Sequence, residues 1–194
     1  MNRVITISRQ YCSGGGAIAK LLSEKLSLPC YDSVLLEKIA EKSGFDHEYI
    51  REEGEYSRGI LSMIFSHGGG ELSNQEKLWI IQHNIICKLA AKEDCIIVGR
   101  CADYILREKA DCLNAFIHAD MEFRKEKLQA RSPEVKKEKF TQFLKKKDKA
   151  RAAYYSYFTG MTWGDARHYH VTLDAGKWGE EKCAGIIAAL YGKG

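Results

Sequence analysis

The stretch over residues 4–22 constrains the fold more than any other part of the chain. It opens as an uninterrupted apolar run, Val4-Ile5-Thr6-Ile7, breaks at Ser13-Gly14-Gly15-Gly16, and resumes with Ile18, Leu21, Leu22 and Leu26 at helical spacing. The pattern is a short buried strand, a glycine-rich turn and a helix. A turn of this composition lets successive backbone N–H groups face an anion, and the helix N-terminus behind it adds partial positive charge. Such a layout suits a phosphate cradle. The plain alternative is a tight strand-to-helix turn with no ligand.

The usual lysine-bearing version of this cradle reads G-x-x-x-x-G-K-[ST]. In register here, its first glycine falls on Arg9 and its second on Gly14. Its lysine falls on Gly15 and its hydroxyl residue on Gly16, with Ala17 following. The backbone part of the cradle is present, whereas the lysine and the metal-binding hydroxyl are not.

The rest of the chain alternates in the same way. Pro29 ends the first helical pattern, and a second short strand ends at Asp32. A carboxylate there can face a ligand at the sheet edge or cap the next helix, which begins at Val34. Residues 45–74 read as an inserted flap of small helices. His67, beside Gly68-Gly69-Gly70, reads as a solvated loop histidine rather than a catalytic base. From Asn74 a helix returns, with Leu78, Ile81, Ile85 and Leu89 on its apolar face. It leads to Cys95-Ile96-Ile97-Val98-Gly99, an apolar run typical of a central parallel strand, and Arg100 stands directly at its end. An arginine there can grip a phosphate in bidentate fashion or pair with the neighbouring Asp103. A short helical crossover over 102–107, a fourth strand over 113–119, a fifth over 169–174 and a helix over 180–190 complete the alternation. The last helix places Cys183, Ile186, Ile187 and Leu190 on one face. Five strands alternating with helices predict a parallel, helix-flanked three-layer α/β sheet.

Charge is uneven. From Arg124 to Arg151 there are 12 Lys or Arg against 4 Asp or Glu, whereas the whole chain of 194 residues carries only +4. A run lacking its balancing acids points to an anionic ligand, although a solvated helix face or an RNA-binding arm also fits the count. The aromatics that follow, Tyr154, Tyr155, Tyr157 and Phe158, read as core, with a dimer face or a base-stacking platform as alternatives. The seven cysteines are scattered, with no C-x-x-C, which argues against zinc and for a reducing compartment. Cys12 lies beside the glycine turn, where the helix N-terminus would lower its pKa. No apolar run reaches membrane-span length, and the chain enters a strand almost at once. The expectation is a cytoplasmic protein with no membrane partner.

Taken together, these segments resemble the P-loop nucleoside-monophosphate kinases, and within them the cytidylate kinase-like family. The residues that carry the resemblance are Ile5 to Gly15, Tyr31-Asp32, Ile97 to Leu106, Asp148 to Tyr155 with Phe158-Thr159-Gly160, and Trp163-Gly164-Asp165. The resemblance implies one P-loop NTPase domain over 1–194 with a five-stranded parallel sheet. It also implies a helical flap over 45–74 for the acceptor nucleotide and a helical lid in the basic region 121–160. It further implies transfer of the ATP γ-phosphate to a nucleoside monophosphate with Mg²⁺. The phosphate-binding set would be Arg9, Ser13, Gly14, Gly15, Gly16 and Ala17. The acceptor set would be Asp32, Arg100 and Asp103, and the catalytic set Arg100, Arg124, Asp148 and Arg151, with no protein metal ligand assigned. Relatives commonly carry Arg at position 16 and Glu at 17, where this chain has Gly16 and Ala17. A charged contact on the transferring phosphate is worth about 10³–10⁵ in rate in well-studied cases. The alternative is therefore a catalytically weak nucleotide-binding protein with a sensing or partner-binding role. Nucleic acid is not the expected partner, and a homodimer is left open.

Overall fold

A computed structural model describes residues 2–32 and 74–192. The flap expected over 45–74, apart from its last residue, the helix beginning at Val34 and His67 lie outside the described residues. Strand β1 (Arg3–Arg9) leads to helix α1 (Gly15–Leu26) and the short strand β2 (Cys30–Tyr31). Helix α2 (Asn74–Lys92) and strand β3 (Cys95–Val98) follow, then helix α3 (Ala102–Ile105) and strand β4 (Asp111–His118). The basic region forms α4 (Met121–Arg131) and α5 (Phe140–Thr159). Strand β5 (Val171–Asp174), the short α6 (Ala175–Trp178) and α7 (Glu180–Tyr191) complete the chain.

The five strands form one all-parallel sheet in the order β2-β3-β1-β4-β5. The sheet is buried on both sides, which explains why the central strands are almost wholly apolar. Val4, Cys95 and Ile97 face α2 and α3, packing with Leu78, Ile85, Ile86, Leu89, Ile105 and Leu106. Ile5, Ile7, Ile96 and Val98 face the other way, against Ile18 and Leu22 of α1 and Cys183, Ala184 and Ile187 of α7. This is the three-layer arrangement that the alternation predicts. The buried polar residue in the middle of β1, Thr6, is satisfied by donating its hydroxyl to Asn114 Oδ1 on β4 at 2.7 Å, so it costs little.

Two expectations need correction in detail. The second strand is confined to Cys30–Tyr31 and stops before Asp32. The buried stripe of α7 is Cys183, Ala184 and Ile187, while Leu190 is 37% exposed.

Candidate functional site

The carboxyl ends of β1 and β3 and the N-terminus of α1 meet at one edge of the sheet, which is where open α/β sheets place their ligand sites. After β1 the backbone turns through Cys12, held at φ 60, to Gly14 at φ 88, which caps α1 without any side-chain hydrogen bond. The first intrahelical bond is Ile18 N–H to the Gly14 carbonyl at 3.0 Å. The N–H groups of Gly15, Gly16 and Ala17 therefore precede the ladder, and Gly16 and Ala17 are exposed. This set of donors can accept an anion. Ser13 has a different post. It is fully buried, and its Oγ lies 3.0 Å from the Gln10 carbonyl and 3.1 Å from that of Ile117. Its hydroxyl braces the floor of the turn from inside.

β3 ends on three successive left-handed residues, Gly99 (φ 78), Arg100 (φ 57) and Cys101 (φ 55). Non-glycine residues rarely hold this conformation, and they do so where surrounding structure over-determines them. Here the brace is Gln82, itself 3% exposed, whose Nε2 donates to the Arg100 carbonyl at 2.7 Å. Tyr154 in turn donates to Gln82 Oε1 at 3.2 Å. The resulting bend aims Arg100 into a cavity lined with Ser8, Arg9, Asp32, Arg151, Tyr155 and Trp163. Among the described residues no hydrogen bond or ion pair occupies the Arg100 guanidinium. Arg9 crosses the same cavity and lies 3.6 Å from Asp32.

Asp103 does not pair with Arg100. It is 5% exposed and accepts a 2.7 Å hydrogen bond from the Tyr155 hydroxyl. Burial holds its carboxyl above the ordinary carboxylate value, against the opposing pull of that bond. Its place is beneath the cavity wall.

The basic region attaches to the glycine turn through a buried grip on Tyr11. Arg124, 3% exposed, donates from Nε to the Tyr11 carbonyl at 2.8 Å, and the Tyr11 N–H donates to Asp148 Oδ1 at 2.8 Å. Arg124 and Asp148 close the grip with an ion pair. Arg151 donates to the Arg9 carbonyl at 2.9 Å. Arg131, Lys147 and Arg151 also stand 5.2–5.4 Å from the Tyr11 ring centroid, within cation–π range. The sequence-based catalytic set includes Arg124 and Asp148 together with Arg151. The structure commits the first two to the Tyr11 backbone, and only Arg151 of that trio lines the cavity.

Cys12 departs from expectation too. Burial pushes its thiol up, outweighing Arg131, Arg124 and Arg151, which pull it down. The aromatics Tyr154, Tyr155 and Phe158 pack as core beside Cys101 and Trp79, and Trp79 and Phe158 stack at 4.4 Å. Sequence reasoning missed Gln82. The one available signal is an amide on the otherwise apolar face of α2.

The sequence matches the cytidylate kinase-like family over residues 4–177. The chain belongs to the cytidylate kinase-like family. No curated protein matches the chain. Among solved structures, an uncharacterized protein from Eubacterium ventriosum ATCC 27560 is 26% identical with a TM-score of 0.76, covering 100% of both chains. A shikimate kinase from Bacteroides thetaiotaomicron is 15% identical with a TM-score of 0.58, covering 97% of each chain. A gluconokinase from Sinorhizobium meliloti 1021 is 16% identical with a TM-score of 0.54, covering 97% of this chain and 93% of that one. These last two share the kinase fold with the present cytidylate kinase-like chain.

A cytidylate kinase-like protein implies ATP and Mg²⁺. The uncapped N–H groups of α1 fit a polyphosphate. Among the described residues no group of three His, Cys, Asp or Glu is placed to hold a metal ion by itself, and Mg²⁺ arriving with ATP takes most of its coordination from phosphates and water. Gly16 also stands where the metal-binding hydroxyl would be. What the described residues bring to the site is positioning by the α1 N–H groups and by the arginines that line the cavity. No helix among the described residues is long and apolar enough to cross a membrane.

Proposed function

We propose that this protein is an ATP-dependent nucleoside-monophosphate kinase with a lysine-free phosphate loop. The observation that carries the reading is the convergence of Arg9, Arg100 and Arg151 on one cavity beside the uncapped N-terminus of α1. Phosphoryl transfer needs positioning and charge stabilisation, with no covalent partner from the protein. In this reading the N–H groups of Gly15, Gly16 and Ala17 hold the donor phosphates. Arg100 holds the acceptor phosphate, and Arg151 approaches from the basic region. An acceptor phosphate oxygen forms the new bond to the γ-phosphorus while the bond from that phosphorus to the β,γ-bridging oxygen breaks. ADP leaves with the electron pair, and the product is a nucleoside diphosphate. Water is the competing acceptor, so the helices of the basic region have the further task of excluding it.

The test is a coupled phosphotransfer assay with ATP and Mg²⁺ against each common nucleoside monophosphate. Turnover of one acceptor is expected. In Arg100→Ala the KM for that acceptor should rise about 10–100-fold, the range for a lost charge-assisted hydrogen bond. No turnover with any acceptor, alongside calorimetric ATP binding, would move the protein to the nucleotide-binding class.

A further inference from the structure

The loop has a gap in its chemistry, because glycine occupies the lysine position, and the space around that glycine shows what fills it. A Cβ added to Gly15 would lie 2.7 Å from Arg9 Cβ and 2.8 Å from Arg9 Cγ. The Cβ is fixed by the backbone, and the Cγ can move only by turning the whole arginine to another rotamer. A Cβ added to Gly99 would lie 2.0 Å from Arg9 Nη1. The Arg9 side chain thus passes over Gly15 at its root and over Gly99 at its tip. Its guanidinium ends beside Asp32, in the cavity that also holds Arg100 and Arg151. In the register of the lysine-bearing pattern, position 9 is glycine and position 15 is lysine. Here the two are exchanged.

We propose that Arg9 is the cation of the phosphate loop and that Gly15 is glycine because Arg9 needs the room. One cationic side chain fits over this turn, rooted either at position 15 or at position 9, and not both. Rooted at position 9, the charge reaches the junction between donor loop and acceptor cavity, with Asp32 orienting it toward the acceptor side. This deepens the proposed kinase reading and rests on it for the chemistry, but the steric exchange stands without it.

Two cycles of substitutions separate the parts. The first reads thermal melts and needs no activity. G15A should lower the melting temperature in the wild-type background and be harmless or stabilising in the R9G background, since removing Arg9 removes the obstacle. If G15A is equally harmful with Arg9 absent, the exchange is wrong. The second cycle reads kcat and calorimetric ATP affinity for R9G, G15K and R9G/G15K, with circular dichroism confirming that each is folded. R9G should lose about 10²–10³-fold in kcat, the usual loss for one transition-state donor. R9G/G15K should recover at least tenfold over R9G. A double variant no better than R9G in both kcat and ATP affinity overturns the assignment of Arg9 as the loop cation. If the wild type turns over no acceptor but ATP affinity follows the same cycle, the kinase reading falls and the exchange stands. A wild type that binds no ATP removes the kinase reading and the assignment of Arg9 as the loop cation, while the steric exchange is still decided by the melts. If G15K does not fold, R9K decides the matter: it keeps charge without adding an atom at Gly15 and should retain more ATP affinity than R9G, and equal losses overturn the proposal.

Discussion

Arg100 and Cys101 hold left-handed backbone at φ 57 and 55, a conformation costing about 1–3 kcal/mol for each such residue. The Gln82 amide and the Tyr154 hydroxyl behind it hold that bend in place. The strain therefore points an arginine at the cavity rather than away along the strand. Cys12 shares the left-handed conformation at φ 60 but not an activated thiol, because burial raises it. Iodoacetamide labelling followed by mass spectrometry at pH 7 should show Cys12 reacting no faster than an unstructured cysteine peptide. Asp103 supplies a pH dependence with a definite sign. Its carboxyl is raised by burial, so the folded chain keeps that proton to higher pH than the unfolded chain. At low pH both states are protonated and the group has no effect. As pH climbs out of the carboxylate range, the folded state acquires a buried charge and loses stability. D103N, which keeps an acceptor for Tyr155, should gain on the wild type in urea melts as pH rises through that range and hold a constant lead above it.

Helices α4 and α5 make up the region that the family resemblance reads as a lid, and their inner ends are fastened to the glycine turn. Arg124 on α4 and Asp148 on α5 hold the carbonyl and the N–H of the same residue, Tyr11. Leu128, Phe140 and Leu144 pack around its ring. Arg124→Ala leaves Asp148 without its ion-pair partner and should cost about 3–5 kcal/mol, read as a lower urea midpoint. The double variant R124A/D148A should lose less than the two single losses added, because the two groups act as a pair. This grip also marks where sequence reading stops. The strand, turn and helix over 3–26 were legible because apolar periodicity and a glycine run report backbone directly. Arg100 was legible because an uninterrupted apolar run ended on it. The partnership of Arg124 with Asp148 was not legible, since it is made through a backbone 113 residues away from Arg124 in sequence. Nor does sequence distinguish a solvent-facing Asp103 from one buried under Tyr155. The Arg9–Gly15 fit is not legible in sequence, because it depends on the Arg9 side chain folding back over Gly15 in space. Almost all of the flap expected over 45–74 lies outside the described residues.

At the scale of the whole molecule, a single sheet carries both halves of the proposed site: the loop follows β1 and Arg100 follows its neighbour β3. ATP binding should therefore stabilise the entire domain. At 100 times its Kd the gain is about 2.7 kcal/mol, or roughly 5–10 °C in Tm for a chain of this size. Arg100→Ala should keep that shift and lose the additional one produced by the acceptor nucleotide, as read by differential scanning calorimetry. The strand order has a consequence for how the chain reaches this state. β1 lies at the centre of the sheet, but its partners come much later in sequence. Ile5 pairs with Ile96 on one side and with Leu113 on the other. At ribosomal rates of about 5–20 residues per second, Val4, Ile5 and Ile7 wait several seconds for the strands that cover them. Pairings this distant make for slow folding. The earliest strand is thus also the longest-exposed, and the segment that later presents the loop is the one that spends longest with its apolar face open to water.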